Sequence, residues 1–438
     1  LERIIGEPAL LSAFSHLEPF PSAALAVSGG PDSIALMHLA RRWLTLTGRG
    51  TRQIAVVTVD HRLRPEGGDE AAFVASRASG LGFSHVTLAW EGEKPRTGLQ
   101  AAARKARYDL MTAYCRAHDF PCLVTAHTED DQAETFLMRL RRGSGIDGLA
   151  AMAVCSERDG VIIVRPLLGI SKGMLLAYLR AHAVPFARDP SNDNVLFERV
   201  RLRHAMKAFA SAGITRSALA RAASRLGESR DALAQITDDF IETQFRVGAL
   251  GQGEIAREAF HALPAAIALR VVSRVLTLVS GKQEPPRLMR IERLLKDLGT
   301  EKREATLGGC LIIAARGTLY FYREQGRMRP EPLACEPSAS AIWDGRFLLT
   351  FASDVASVGE VRQLGAEGWV FYRRALKRQR SVIAANRLAA LATPALWADG
   401  RLVCAPALDF VNAEVADPAK PPVTARLAPG LARFIHRT

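Results

Sequence analysis

The first 190 positions of the chain switch repeatedly between two apolar rhythms. Short apolar runs at 23–27, 54–59, 86–90, 122–126 and 161–164 read as strands. Between them, 34–44, 70–81, 99–118, 129–141 and 172–182 carry apolar residues at helical spacing. Strands separated by helices predict a parallel twisted sheet with helices on both faces, a Rossmann-like α/β architecture. Ligands of such sheets bind beyond the carboxyl ends of the strands. There the chain places Ser28-Gly29-Gly30, Asp60-His61 and His127.

From about residue 201 the rhythm changes. Segments 217–243 and 264–279 are helical with mixed faces, and 287–298 is a short basic helix. Segment 305–322 reads as strand, Gly308-Gly309 turn and strand, followed by a Thr-Leu-Tyr-Phe-Tyr run. Residues 330–341 are rich in Pro, Ser and Ala and read as a linker. Short strands with turns fill the rest. The expected organisation is an α/β domain over 1–205, a mainly helical domain over 206–329 and a small α+β domain over 342–438.

Composition narrows the class. The chain has 58 Lys and Arg against 45 Asp and Glu, a net charge of +13, which favours a polyanionic partner. No apolar run approaches the roughly 18–20 residues of a membrane helix; the best, 265–279, is broken by Arg270 and Arg274. Six scattered cysteines with no C-x-x-C pair disfavour a zinc ribbon and fit a reducing cytoplasm. The start, Leu1-Glu2-Arg3, has neither an initiator Met nor signal-peptide order, which suggests that the natural chain begins upstream.

Ser28-Gly29-Gly30-Pro31-Asp32-Ser33 lies between the first strand and the first helix of the alternation. Glycines let the backbone approach an anion, the helix start points amides at it, and Pro31 suits the first helical turn. Gly-Lys-Ser/Thr does not follow, so this is not the common P-loop. Asp32 inside an anion loop would repel phosphate unless Mg²⁺ reversed the local sign. On the long helix, Arg104, Arg107 and Tyr108 share a face. In Thr125-Ala126-His127-Thr128-Glu129-Asp130-Asp131-Gln132-Ala133-Glu134-Thr135, Asp131 and Glu134 fall on one helical face beside His127. Two carboxylates and an imidazole can bind a metal, accept a proton or hold a cationic substrate. Arg141 and Arg142 open a basic, Gly-rich stretch suited to a phosphate backbone. Arg199, Arg201 and Arg203 alternate, so an extended chain would aim all three one way, towards tRNA or polyphosphate.

The hexapeptide resembles the loop of the N-type ATP pyrophosphatases, the PP-loop superfamily. Further motifs resemble the tRNA(Ile)-lysidine synthetases. They are Val59-Asp60-His61-Arg62-Leu63-Arg64, Ala103 to Tyr108, the 125–135 stretch, Arg165-Pro166-Leu167-Leu168, Asp189 to Asp193 and Phe197 to Arg203. Val200 stands where that family usually has Asn. The likeness is strong over about 22–205, weaker to 325, and without a sharp motif after 340.

The resemblance implies a ligase that uses ATP and Mg²⁺. The 2-oxo group of the wobble cytidine of a CAU-anticodon tRNA(Ile) is adenylated, and free lysine then displaces AMP to form lysidine. It implies ATP contacts from Ser28, Gly29, Gly30, Pro31, Asp32, Ser33, Asp60 and His61, with Asp32 on Mg²⁺. Arg107 would meet transition-state charge. His127, Asp131 and Glu134 would handle substrate or protons, Asp131 being the first candidate to deprotonate lysine. Arg104, Arg141, Arg142, Arg199, Arg201 and Arg203 would contact tRNA or phosphate. The helical and C-terminal segments would grip tRNA, the latter at the acceptor stem. A homodimer is left open. The alternatives are a tRNA thiolase of the same fold, which generally needs paired cysteines or an iron–sulfur cluster, and a tRNA-binding protein without catalysis.

Overall fold

A computed structural model describes residues 5–435 except 51, 64–66, 96, 188–197, 283, 299–303, 327–328, 356–358 and 379–384. The chain forms two compact units, Leu1–Asp231 and Ala232–Thr438.

Among the described residues of the first unit, β1 (Ser22–Ala26), β2 (Gln53–Asp60), β3 (Ser84–Ala89), β4 (Cys122–Val124) and β6 (Val161–Val164) follow the apolar runs, and β5 (Cys155–Arg158) is a further strand. They are accompanied by α1 (Glu7–Phe14), α2 (Pro31–Leu46), α3 (Gly67–Gly80), α4 (Leu99–Ala117), α5 (Glu129–Arg141), α6 (Ile146–Leu149), α7 (Lys172–Ala181) and α8 (Glu198–Ser211). The strand order is β3-β2-β1-β4-β6-β5. All pairings are parallel except β5–β6, a hairpin edge that the sequence reading did not foresee.

The period-2 alternation of the central strands sorts side chains between two cores. Ala23, Leu25, Ile54, Val56, Cys122 and Val124 face a cluster with residues of α1, α2, α3 and α7. Ala24, Ala55, Val57 and Leu123 face Tyr108, Met111 and Cys115 of α4. This two-sided burial explains why the strands read as continuous apolar runs. The chain winds outward from β1 to β3, then returns to pair β4 with β1. That reversal is a topological switch point, where an open α/β sheet leaves a crevice. The loops after β1 and β4 flank it.

The segment holding Arg199, Arg201 and Arg203 is helical, part of α8, and not extended. At 100° per residue, Arg201 and Arg203 point to different sides of the helix. Apolar Leu202, Met206 and Phe209 supply the helical rhythm that the arginine alternation hides, and Met206 is buried. The Asp189–Asp193 motif lies outside the described residues, as do the side chains of Arg199 and Val200.

The boundary between the units falls inside α9 (Arg216–Gln244). The second unit adds β7 (Phe245–Val247), β8 (Gly253–Ala256), α10 (Arg257–His261), α11 (Ala265–Ser280), α12 (Leu288–Leu298), β9 (Glu304–Leu307), β10 (Cys310–Ala315) and β11 (Thr318–Arg323). Its antiparallel sheet β7-β8-β11-β10-β9 shares a core with α11 through Val271, Val275, Ile312 and Phe321. The 330–341 stretch is less of a linker than its composition suggests. It supplies β12 (Leu333–Ala334) and the start of β13 (Ser340–Trp343), and it buries Cys335.

The remaining elements are β14 (Phe347–Phe351), β15 (Gly359–Gln363), α13 (Gly365–Arg378), α14 (Arg387–Ala390), β16 (Pro394–Ala398), β17 (Arg401–Ala405), β18 (Phe410–Val411), β19 (Val423–Leu427) and α15 (Pro429–Ala432). They form the sheets β12-β15-β16-β17-β18 and β13-β14-β19. Among the described residues no helix is long and apolar enough to cross a membrane.

Candidate active site

The loop after β1 is built to stay open. Gly29 has φ +87°, a left-handed conformation that calls for glycine, although a Cβ there would make only ordinary contacts with Val74 and Ala187. Its carbonyl accepts from the Ala187 N–H at 2.9 Å. The Ser33 hydroxyl braces the turn: it accepts from the Ser28 N–H at 3.1 Å and donates to the Gly30 carbonyl at 3.0 Å. Gly30 is the N-cap of α2, and no side chain caps it, with Pro31 following. The first amides of α2 are therefore left for an anion.

Asp32, in the first turn of α2, has one oxygen (Oδ2) 3.3 Å from the Lys172 ammonium. Its Oδ1 is buried with no hydrogen-bond partner. Burial pushes the carboxyl above its ordinary range, with Asp131 and Asp130 adding to the rise and Lys172 opposing it.

Across the switch point, α5 starts with a reciprocal cap. Thr128 donates from both its N–H and its hydroxyl to Asp131 Oδ2, each at 2.9 Å, and its Oγ1 accepts from the Asp131 N–H at 3.4 Å. Asp131 is thus both a cap and a site residue. Its Oδ1 lies 3.8 Å from Lys172 Nζ. Burial works against its charge, but Lys172 and the Thr128 donors outweigh it and hold the carboxyl below its usual range. A Thr128→Val variant should therefore lose about 1–2 kcal/mol in urea unfolding. A depressed carboxyl gives stability that is lost as pH falls through its folded pKa. The variant should lose it at higher pH than the parent, because one donor holding Asp131 down is gone.

Glu134, one turn on, is buried and takes Arg203 Nε at 2.6 Å on Oε1. Its Oε2 is buried without a partner. Asp130 anchors the surroundings, accepting from the Lys172 backbone N–H at 2.8 Å and pairing with Arg216 at 3.2 Å. Among the described residues, the carboxylates of Asp32, Asp131 and Glu134 thus meet the cations of Lys172 and Arg203.

The other wall is basic. His127 leaves β4 with Nδ1 2.8 Å from Thr125 Oγ1. Burial, helped by Arg165, Arg104 and Arg107, pushes the ring down to about 3 against the pull of Asp131. It is neutral at any physiological pH. Arg104 and Arg107 lie over the buried Tyr108 ring at 5.3 and 5.7 Å. At the end of β2, Asp60 Oδ1 accepts from the Arg62 N–H at 2.8 Å. His61 meets the edge of Trp90 at 5.9 Å. Its Nδ1 is buried without a partner, and burial and Arg107 lower its pKa.

Residues 9–208 match the PP-loop domain family. A tRNA(Ile)-lysidine synthase from Ruegeria pomeroyi is 38% identical over 407 residues, covering 93% of this chain and 93% of that protein. The chain belongs to the tRNA(Ile)-lysidine synthase family. Other members include the synthase of Bradyrhizobium diazoefficiens, 42% identical over 72% of this chain and 93% of that one. That of Rhodopseudomonas palustris is 46% identical over 65% and 82%.

In this lysidine synthase family member, Lys172 bridges Asp32 and Asp131, Arg203 pairs with Glu134, the two groups feel each other's charge, and His127 lies beside Asp131. Arg141 and Arg142 are elsewhere. They are exposed at the far end of α5, ten residues and about 15 Å of helix beyond Asp131. The sequence reading missed Lys172. The available signal was its position: a lysine at the first residue of a helix opposes the macrodipole unless anions surround it.

Proposed function

We propose that this chain ligates lysine to the wobble cytidine of a CAU-anticodon tRNA(Ile) at the expense of ATP. Membership of the lysidine synthase family over nearly the whole chain supports the reaction class. The observation that carries the residue roles is the Lys172 ammonium, within 4 Å of both Asp32 in the anion loop and Asp131 in the acidic cluster. Nucleotide and amine sites are therefore neighbours.

In the first step the cytidine 2-oxo oxygen attacks the α-phosphorus and pyrophosphate leaves. The amides at Ser28–Ser33 hold the departing diphosphate. Arg107 faces the charge that develops on phosphate oxygens, in the manner of a preorganised electrostatic clamp. The unpartnered Oδ1 of Asp32 fits Mg²⁺, which takes one or two carboxylates together with phosphate oxygens. When bound, that ion would neutralise phosphate charge. In the second step the ε-ammonium of lysine gives up a proton to solvent, the free amine attacks C2, and AMP leaves with the former 2-oxo oxygen.

Asp131 is too stabilised as an anion to be a strong base; its geometry suits holding an ammonium. Glu134 Oε2 offers a second acceptor. The neutral His127 ring is a hydrogen-bonding partner and not a cation. The cysteines do not favour the thiolase alternative: burial pushes the Cys115 and Cys122 thiols up to about 11 and 12. Exposed Arg373, Arg374, Lys377 and Arg378 on α13 support a tRNA-holding role for 342–438.

The test is direct. Protein, ATP, Mg²⁺ and labelled lysine are incubated with a CAU-anticodon tRNA(Ile) transcript, and ATP-dependent label is expected in the tRNA. A folded preparation that never transfers label overturns the reading.

A further inference from the structure

We propose that Lys172 couples the two halves of the site, so that bound nucleotide draws its ammonium off Asp131 and thereby tightens binding of the amine substrate. The inference rests on the ATP and lysine assignments above and adds an order of binding to them.

Asp131 has two oxygens, and they are not equivalent. Oδ2 is committed to the Thr128 N–H and hydroxyl, both at 2.9 Å. Only Oδ1 is left for a cation, and Lys172 Nζ stands 3.8 Å from it. An incoming ammonium must therefore compete with Lys172 for that oxygen. Glu134 gives a partial alternative at most, because its Oε1 is held by Arg203 at 2.6 Å.

The same Lys172 ammonium lies 3.3 Å from Asp32, inside the loop where the amides await an anion. A polyphosphate there adds several negative charges on the loop side of Lys172. The lysine can respond without disturbing the fold. Its backbone N–H is pinned to Asp130 Oδ2 at 2.8 Å, α7 is capped by the Ser171 hydroxyl, and only the flexible four-carbon stem need move. Nucleotide thus satisfies Lys172 and releases Asp131 Oδ1. Linkage makes the effect reciprocal, so lysine must also tighten nucleotide.

Calorimetric titration tests this on the intact protein, using free L-lysine with and without saturating Mg²⁺ and α,β-methylene-ATP, which cannot be cleaved at the reacting bond. Lysine affinity is expected to rise about tenfold with nucleotide, within the usual range of coupling between sites. Lys172→Met should bind lysine about tenfold more tightly than the parent when nucleotide is absent, and should lose the nucleotide-dependent gain. Lys172→Arg should restore the gain, which a merely structural role for the side chain would not require. Equal lysine affinity in both states of the parent protein overturns the coupling alone, as does an undiminished gain in Lys172→Met. A parent protein that binds the nucleotide but no lysine in either state overturns the amine-site assignment as well.

Discussion

An Asp32→Asn variant is expected to lose about 10³-fold in ATP-dependent activation of the tRNA, on the scale of removing a key electrostatic group from an active site. It should nevertheless remain as stable as the parent at neutral pH. The two halves of this expectation have one cause. Asp32 sits in a place that disfavours its charge: burial raises its pKa, Asp131 and Asp130 add to the rise, and Lys172 offsets only part of it. For an acid whose folded pKa is raised, stability falls as pH rises from the unfolded value through the folded one. Asparagine removes that penalty, while Lys172 keeps Asp131 as a partner. Pyrophosphate exchange in the presence of tRNA reads the first half, and urea unfolding at pH 7 the second. Activity within tenfold of the parent would remove Asp32 from the phosphate site. Loss of activity together with loss of stability would make it a scaffold residue.

The loop that holds Asp32 was legible in the sequence for another reason. Ser28 to Ser33 is a local device: its turn, its glycines and its helix start are neighbours in sequence, so the hexapeptide carries its own chemistry. The same holds for the Thr128–Asp131 cap, where an N-cap threonine and an acidic residue at the third helical position announce the start of α5. The central strands were legible because both of their faces are buried.

What escaped notice was non-local or edge-like. Lys172 meets Asp32 across 140 residues of sequence, and no short-range pattern encodes that meeting. Arg203 appeared to belong to an extended stripe because every second residue is arginine, whereas the burial of Met206 shows the helical period that prevails. β5 (Cys-Ser-Glu-Arg) lies at the sheet edge with only partial burial, so it has no apolar run to reveal it. β7 and β8, at 245–247 and 253–256, are too short to show a period at all.

The largest stability effect is expected in the second unit, at Asp344. Arg323 grips its carboxylate in a fork, Nε to Oδ2 at 3.0 Å and Nη2 to Oδ1 at 3.1 Å. Arg346 Nε reaches Oδ2 at 3.0 Å, and its Nη2 donates to the Ala392 carbonyl. All three side chains are less than a tenth exposed, so two buried guanidinium groups share one carboxylate. The backbone around them leaves no slack. Asp344 has φ +50°, and a Cβ on Gly345 would fall 2.3 Å from the Gly281 carbonyl oxygen.

Asparagine tolerates that left-handed conformation as well as aspartate does, so Asp344→Asn removes the charge without straining the turn. It leaves two cations buried side by side, which should cost about 3–5 kcal/mol. Arg346→Met should cost less, because burial already pushes the Arg346 pKa down and the Arg323–Asp344 fork survives its loss. The buried Trp343, Trp369 and Trp397 contribute the fluorescence signal of this unit in urea unfolding. The order of the two variants is the decisive readout. If Arg346→Met proved the more damaging, the triad would be held by the packing of Arg346 and its bond to Ala392, and not by the shared negative charge.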